Sequence, residues 1–490
     1  MMTSEILKFL RIHRHTLFLL GAAVVGLLLG SLSIYFSPWL ALGAIAGAGF
    51  FMLTLRKPEI LLISIPIMTS TVLDAESVPS VPGFSSVKLT DIALLMLLGL
   101  VTVRGLSDPD FKIIRTPLDL PLLAFYGSAL LSSTFAMLND SLKPWRAYSE
   151  LQILSYYLIY FAITNLLRKP QQCIFLIKGT YSLALIVAIM MSAQFLLGDT
   201  VTILPGRVET LNTQGTSYTG ITRILPPGQS LILVAFITQV VRLTLTPSKS
   251  ADSLAILGCC IMGIGLILTF SRSFWMGAGL ALLILFILLP EKNRLKFAGI
   301  GLIALIITLS IYIFTTAKPD SQFSHLIHAA LARFNTTTST TNIMEDQSFR
   351  WRYPEYQHAL SQIIQHPLIG IGFGAQYRPL DMRMDSASFD GRAYMHNGHL
   401  WIITKSGILG YLSLLWLSAC FITRGLKYWR LIPDTRMQGC VLGFTLTYLS
   451  MLLIAIVSPI FMQRFWTPVI GLMMGTNEII FRHYLKVRNT

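Results

Sequence analysis

The feature that most constrains this chain is a succession of uninterrupted apolar runs, most of them long enough to cross a bilayer, repeated almost to the C-terminus. A hydrocarbon interior offers the backbone no hydrogen-bond partner, so only helices and closed barrels can cross it. The runs lack the period-two alternation of a barrel strand and read as helices. Spans are expected near 16–36, 39–55, 59–73, 89–103, 118–138, 148–167, 179–197, 225–243, 253–270, 274–289, 297–316, 400–423, 438–458 and 466–481. The expected class is therefore an all-α, polytopic integral membrane protein of about 12–14 transmembrane helices. Composition agrees, with 53% hydrophobic and 12% charged residues over 490 positions. Pro66 should break or tilt the short run at 59–73, and only Ser271, Arg272 and Ser273 separate 253–270 from 274–289.

The first run follows Lys8, Arg11 and Arg14, as a secretory signal would. It is longer than a typical signal core, has no small-residue cleavage site and runs into a second span, so it is expected to be retained. Orientation follows from lysine and arginine. With a cytoplasmic N-terminus, alternate loops carry Arg56 and Lys57, then Arg104, Lys112 and Arg115, then Arg168, Lys169 and Lys178. The series continues through Arg242, Lys249, Lys292, Arg294 and Lys296 to Arg424, Lys427, Arg430, Arg436, Arg482, Lys486 and Arg488. Both termini should then be cytoplasmic. The net charge of +15 is largely this asymmetry, which argues against a nucleic-acid partner. The cysteines, at 173, 259, 260, 420 and 440, fall in spans or at inner ends, so neither a disulfide framework nor a metal site is expected.

Two connections are long, 198–224 and 317–399, and both should lie outside the cytoplasm. The chain thus divides into an N-terminal bundle at 1–316, an extracytoplasmic loop with amphipathic helices at 317–399, and C-terminal spans at 400–490. Within the loop, 321–334 and 353–365 have helical patterning, the second with Pro354 in its first turn. Between them, 335–342 is a polar linker. The glycines of 370–374 mark a turn, and 375–395 reads as polar and flexible.

Arginine outnumbers lysine among the outer basic residues, and its planar fork grips two oxygens of a phosphate or carboxylate. Arg223 precedes a span, Arg272 occupies the three-residue turn, and Arg350 and Arg352 flank Trp351 ahead of the loop helix. Each is a candidate anion ligand, or else a snorkelling or solvated surface residue. His396 and His399 stand one helical turn apart around Asn397. They are read as a general base at the membrane surface, a polar helix cap, or half of a metal site without a third ligand. The glycines at 370–374 lack the lysine and serine of a phosphate loop, so close packing on the bundle is the better reading.

Taken in order, three stretches resemble the O-antigen ligase and polymerase superfamily of bacterial surface-glycan enzymes. They are LTFSRSFWMGAGLALL at 268–283, Arg352 with Tyr356, Ala359 and Leu360 leading to HPLIGIGFG at 366–374, and His396 and Asn397 with Leu400, Gly407 and Gly410. The resemblance covers about 268–410 and implies a glycosyltransferase-C-like membrane fold without a cofactor. It also implies a transferase acting on glycans carried by undecaprenyl diphosphate. Its partners would be that donor, a lipid or glycan acceptor, membrane lipids and other polysaccharide-assembly proteins, with lipopolysaccharide or exopolysaccharide as the product. Arg272 and Arg352 would engage the diphosphate, and His396 would activate or orient the acceptor hydroxyl. Arg223, Arg350, His399 and Asn397 would contribute to substrate binding, although ILPPGQS after Arg223 departs from the usual context, and Tyr356 stands where tryptophan is commoner. Ligase and polymerase are not separated by these motifs. A small-anion transporter is the rival from another class, disfavoured because the notable charges gather at the outer boundary rather than the midplane.

Overall fold

A computed structural model describes residues 49–50, 52–54, 56–71, 73, 78, 80–81, 84–211, 221–246, 253–302, 329–331, 347–381 and 391–485. The spans expected at 16–36, most of 39–55 and the second half of 297–316 lie outside the described residues, as do the linker at 335–342 and most of the helix at 321–334.

The chain is an all-α, polytopic membrane protein with two short two-stranded antiparallel ribbons. In order, the elements are α1 (Pro58–Ser70), β1 (Ser80–Val81), β2 (Phe84–Lys88), α2 (Leu89–Ser107), α3 (Asp119–Leu138), α4 (Pro144–Ser155), α5 (Ile159–Leu166) and α6 (Pro170–Leu197). Next come β3 (Arg207–Leu211), β4 (Ile221–Leu225), α7 (Gln229–Leu245), α8 (Ser253–Leu268) and α9 (Arg272–Leu288). The series ends with α10 (Gln347–Gln365), α11 (Gly398–Tyr428), α12 (Thr435–Ile454) and α13 (Thr467–Leu485). Among the described residues, five helices are long and apolar enough to cross a membrane: α2, α3, α6, α11 with its 3-10 extension, and α12. Four more, α1, α7, α8 and α9, are apolar but shorter.

Local chemistry explains where the helices depart from expectation. The span expected at 148–167 is broken by a 3-10 turn at Tyr156–Leu158 into α4 and α5. Buried polar groups of α4 and the turn find partners: Gln152 donates to Asp91, and Tyr156 Oη donates to the same carboxylate at 2.7 Å. A segment whose polar side chains are paired in this way need not be apolar throughout. Pro66 lies inside α1 without ending it, and Pro354 lies within α10, which starts earlier than its first-turn assignment implied. The connection at 198–224, expected as loop, contains the β3–β4 ribbon, for which Val208, Thr210, Ile221, Thr222 and Ile224 supply β-branched positions.

Helix α12 is buried along nearly its whole length, packed by α7, α9 and α11, and α13 is buried from Thr467 to Phe481. Helix α11 is bent where Gly407 takes a left-handed φ of 64°. That bend exposes main-chain groups, and the glycine turn uses them: Ile371 N–H donates to the Thr404 carbonyl (3.1 Å), Gly372 N–H to Lys405 O (2.9 Å), and Ile408 N–H to Pro367 O (2.8 Å). A Cβ at Gly407 would collide with the Leu368 carbonyl, and one at Gly374 (φ 89°) with that of Arg146. The glycines at 370–374 therefore serve close packing of a turn onto a broken helix. Lys405 at the bend is fully buried; its Nζ donates to the Ala375 carbonyl and stands 3.7 Å from Glu150 Oε1. An ion pair there offsets a charge that would otherwise be costly inside a bundle.

At one end of the bundle, basic side chains close off helix carbonyls. Arg104 donates to Leu166 O (3.2 Å), Arg482 to Thr164 O and Leu167 O (2.8 and 2.6 Å), and Lys296 to Leu243 O and Thr246 O (both 2.6 Å). Arg430 reaches Leu288 O at 2.8 Å. These carbonyls have no intrahelical donor and lie at the negative pole of the helix dipole, so cations are well placed there.

Candidate active site

The opposite end carries the residues singled out from the sequence. His396 lies just before α11, in a segment anchored on both sides. Tyr377 N–H donates to Arg392 O (3.0 Å), Tyr377 Oη to Tyr394 O (3.1 Å), and Gly398 N–H to Ala455 O (2.7 Å). The stretch expected to be flexible is thus held at both described ends, 375–381 and 391–395, because Tyr377 and Arg378 are buried.

Glu355 of α10 clamps His396 twice. Its Oε1 lies 2.9 Å from the ring Nδ1, and its Oε2 accepts the His396 main-chain N–H at 3.0 Å. A carboxylate only accepts, so Nδ1 carries the proton and Nε2 of the neutral ring keeps its lone pair. The glutamate side chain is 3% exposed and the histidine 40%, so the ring is fixed from within while part of it meets solvent. Tyr394 packs edge-on against the ring with centroids 5.0 Å apart, and Trp401 packs against Tyr394 in turn. Burial and the nearby Glu355 carboxylate push the Tyr394 phenol up to about 12, against the pull of Arg352 and Arg207. Both arginine charges are thus felt at the phenol that packs against the His396 ring.

One of them, Arg352, lies a helical turn before Glu355 on α10, and its buried Nε has no hydrogen-bond partner among the described residues. Arg207 begins β3 and pairs with Glu209 at 2.6 Å. Directly across the ribbon, Arg223 approaches the same carboxylate at 3.4 Å, and its Nε donates to the Thr269 carbonyl at 3.2 Å. Thr269 belongs to the turn between α8 and α9, where Phe270 has φ 45° and Arg272 opens α9. Arg223 therefore ties the ribbon to the turn that precedes Arg272, while the charge of Arg207 is felt at Tyr394.

The two histidines part company. Asn397 is the N-cap, its side-chain oxygen accepting the N–H groups of His399 and Leu400 at 3.0 Å each. Its extended backbone (φ −95°, ψ 111°) leaves His396 outside the helix, so helical spacing does not align the pair. His399 Nε2 donates to Leu452 O at 2.9 Å, and Nδ1 receives the Tyr411 hydroxyl at 3.4 Å. Neither ring nitrogen is left for a substrate, and among the described residues no group of histidine, cysteine, aspartate or glutamate could hold a metal. Arg350 lies in the first turn of α10, but its side chain falls outside the described residues. Glu355, Tyr394, Arg207 and Glu209 were missed by sequence reasoning. Glu355 had one signal, its position three residues after Arg352 on a predicted helix, and the ribbon residues had their β-branched neighbours.

Fold and site define a class: a multi-pass membrane protein with a carboxylate-oriented histidine beside clustered arginines. Residues 257–415 match the family model described as O-antigen ligase, a stretch that runs from α8 through the Arg272 turn, α10 and the glycine turn to the middle of α11. The match covers less than half of the chain, and over that stretch it supports a likeness to the O-antigen ligase superfamily. No curated protein matches the chain. The family supports a glycan-transferase type of enzyme with lipid-linked glycan substrates in an inner membrane.

Proposed function

We propose that this protein transfers a glycan from a polyprenyl diphosphate carrier, of the undecaprenyl type, to an acceptor hydroxyl at the outer face of the inner membrane, with both termini cytoplasmic. The observation that carries this reading is the Glu355–His396 dyad, whose Nε2 has no hydrogen-bond partner among the described residues, on a helix that carries Arg352 one turn before Glu355. In such a donor the anomeric carbon already bears a good leaving group. Two tasks remain, deprotonating the acceptor and stabilising charge on the departing diphosphate. His396 Nε2 takes the hydroxyl proton as the acceptor oxygen bonds to the anomeric carbon. The bond to the carrier phosphate breaks, and the polyprenyl diphosphate leaves with the electron pair. Attack opposite the leaving group inverts the anomeric centre. Arg352, Arg272 and Arg223 neutralise the diphosphate, with Arg207 as a further ligand; their charge persists at any physiological pH.

The test is His396→Ala, with membrane abundance checked. A loss of transfer by about 100-fold or more is expected from removal of a general base. Full transfer by a stable, abundant variant would falsify the assignment. The glycans of a deletion strain separate the two subtypes: loss of long chains indicates a polymerase, and accumulation of lipid-linked polymer indicates a ligase. A reporter fused near Asn342 should be active only outside the cytoplasm.

A further inference from the structure

Beyond the dyad, the far end of α10 borders an open cleft of about 440 Å³ between the C-terminal ends of α3 and α10 and the glycine turn. That size suits a small organic ligand. Its polar lining comes from Asn139, Ser141, Gln362, His366 and Gln376. Amides, a hydroxyl and an imidazole can each both donate and accept hydrogen bonds, as a sugar hydroxyl does. Phe135 and Leu368 add apolar surface, more than half exposed, against which the C–H face of a pyranose can lie. Among the described residues, no lysine, arginine, aspartate or glutamate lines the cleft. Charge complementarity therefore disfavours a phosphate or another ion. An acyl chain is disfavoured too, since it would desolvate the polar groups without replacing their hydrogen bonds.

We propose that this cleft binds an uncharged oligosaccharide portion of the glycan, away from the reacting carbon. The proposal rests on the glycan-transfer reading and extends it. Helix α10 carries both places: Glu355, which holds His396, and Gln362 are separated by about 10 Å along the axis. One saccharide chain lying along α10 would touch the reacting centre at one end and the cleft at the other. The cleft would thus select for glycan length and sugar type while the dyad performs a chemistry common to many sugars.

The experiment uses the full chain in lipid nanodiscs. The probe is the set of oligosaccharides released by mild acid from the lipid-linked glycan of the producing cells, and affinity is read by saturation-transfer NMR. Gln362→Ala removes an amide, Ser141→Trp fills the cleft, and Arg430→Ala, at the opposite end of the bundle, leaves it intact. Binding at least tenfold weaker in the first two and unchanged in the third is the expected result. Equal affinity in all three, or no binding to the unaltered chain, overturns the subsite. So does a Ser141→Trp variant that sheds a co-purifying phospholipid yet binds saccharide normally, because the cleft is then a lipid site. If the cleft variants bind weakly while His396→Ala still transfers glycan, the catalytic reading fails and the subsite stands.

Discussion

The two ends of the helical bundle use the same residue type for different ends. At one, Arg104, Arg430 and Arg482 point their guanidinium groups at main-chain carbonyls that terminate helices. At the other, Arg207 and Arg223 both approach the carboxylate of Glu209, and Arg352 keeps a buried Nε without a partner among the described residues. In the first case, the protein's own dipoles satisfy the charge, and the arginine is part of the scaffold. In the second, two guanidinium groups converge on one carboxylate, and the same forks suit the oxygens of an anionic substrate. Basic residues alone therefore do not mark a site; what answers their charge does.

Removing one arginine from each end tests this contrast most severely. Arg352→Ala should lower transfer by about 100-fold or more with the protein still abundant, as expected when a charge-stabilising donor is lost. Arg482→Ala should leave turnover per folded molecule near normal while costing about 1–2 kcal/mol of stability, read as a lower thermal midpoint in detergent. Exchange of the two outcomes would remove the distinction. Glu355→Gln comes next. It keeps the shape but can present its amide N–H to Nδ1, favouring the wrong tautomer, and should reduce kcat by about 10- to 100-fold with little change in KM. Gly374→Ala should act on folding rather than chemistry. A residue forced to keep φ 89° while its Cβ meets the Arg146 carbonyl costs about 1–3 kcal/mol or more, visible as reduced membrane abundance. Tyr394→Phe should have the smallest effect. Its phenol, pushed up to about 12 by burial and Glu355, stays protonated across the working range, so the pH profile of transfer should not move. A shifted profile would mean that the hydroxyl takes part in proton transfer.

Much of this architecture was legible in the chain. The apolar runs at 89–103, 118–138 and 179–197 become α2, α3 and α6, and the interruption at Ser271 to Ser273 marks the turn at Thr269 to Ser271, after which Arg272 opens α9. The split of 148–167 was not legible, because Glu150 and Gln152 are stabilised by Lys405 and Asp91, residues remote in sequence. The histidine pair shows the same limit: a spacing of three suggested a shared face, but Asn397 caps α11 between them.

By itself, the sequence determined the all-helical membrane class and the stretches bearing Arg223, Arg272, Arg352 and His396, because length, hydropathy and motif order are local properties. Only the tertiary structure decided which histidine has a ring nitrogen without a partner among the described residues, and which carboxylate orients it. Glu355 lies 41 positions from His396, and Arg223 46 from Thr269. No periodicity encodes pairings at such separations; they arise when α10, the β3–β4 ribbon and the start of α11 are brought together by packing on the buried bundle.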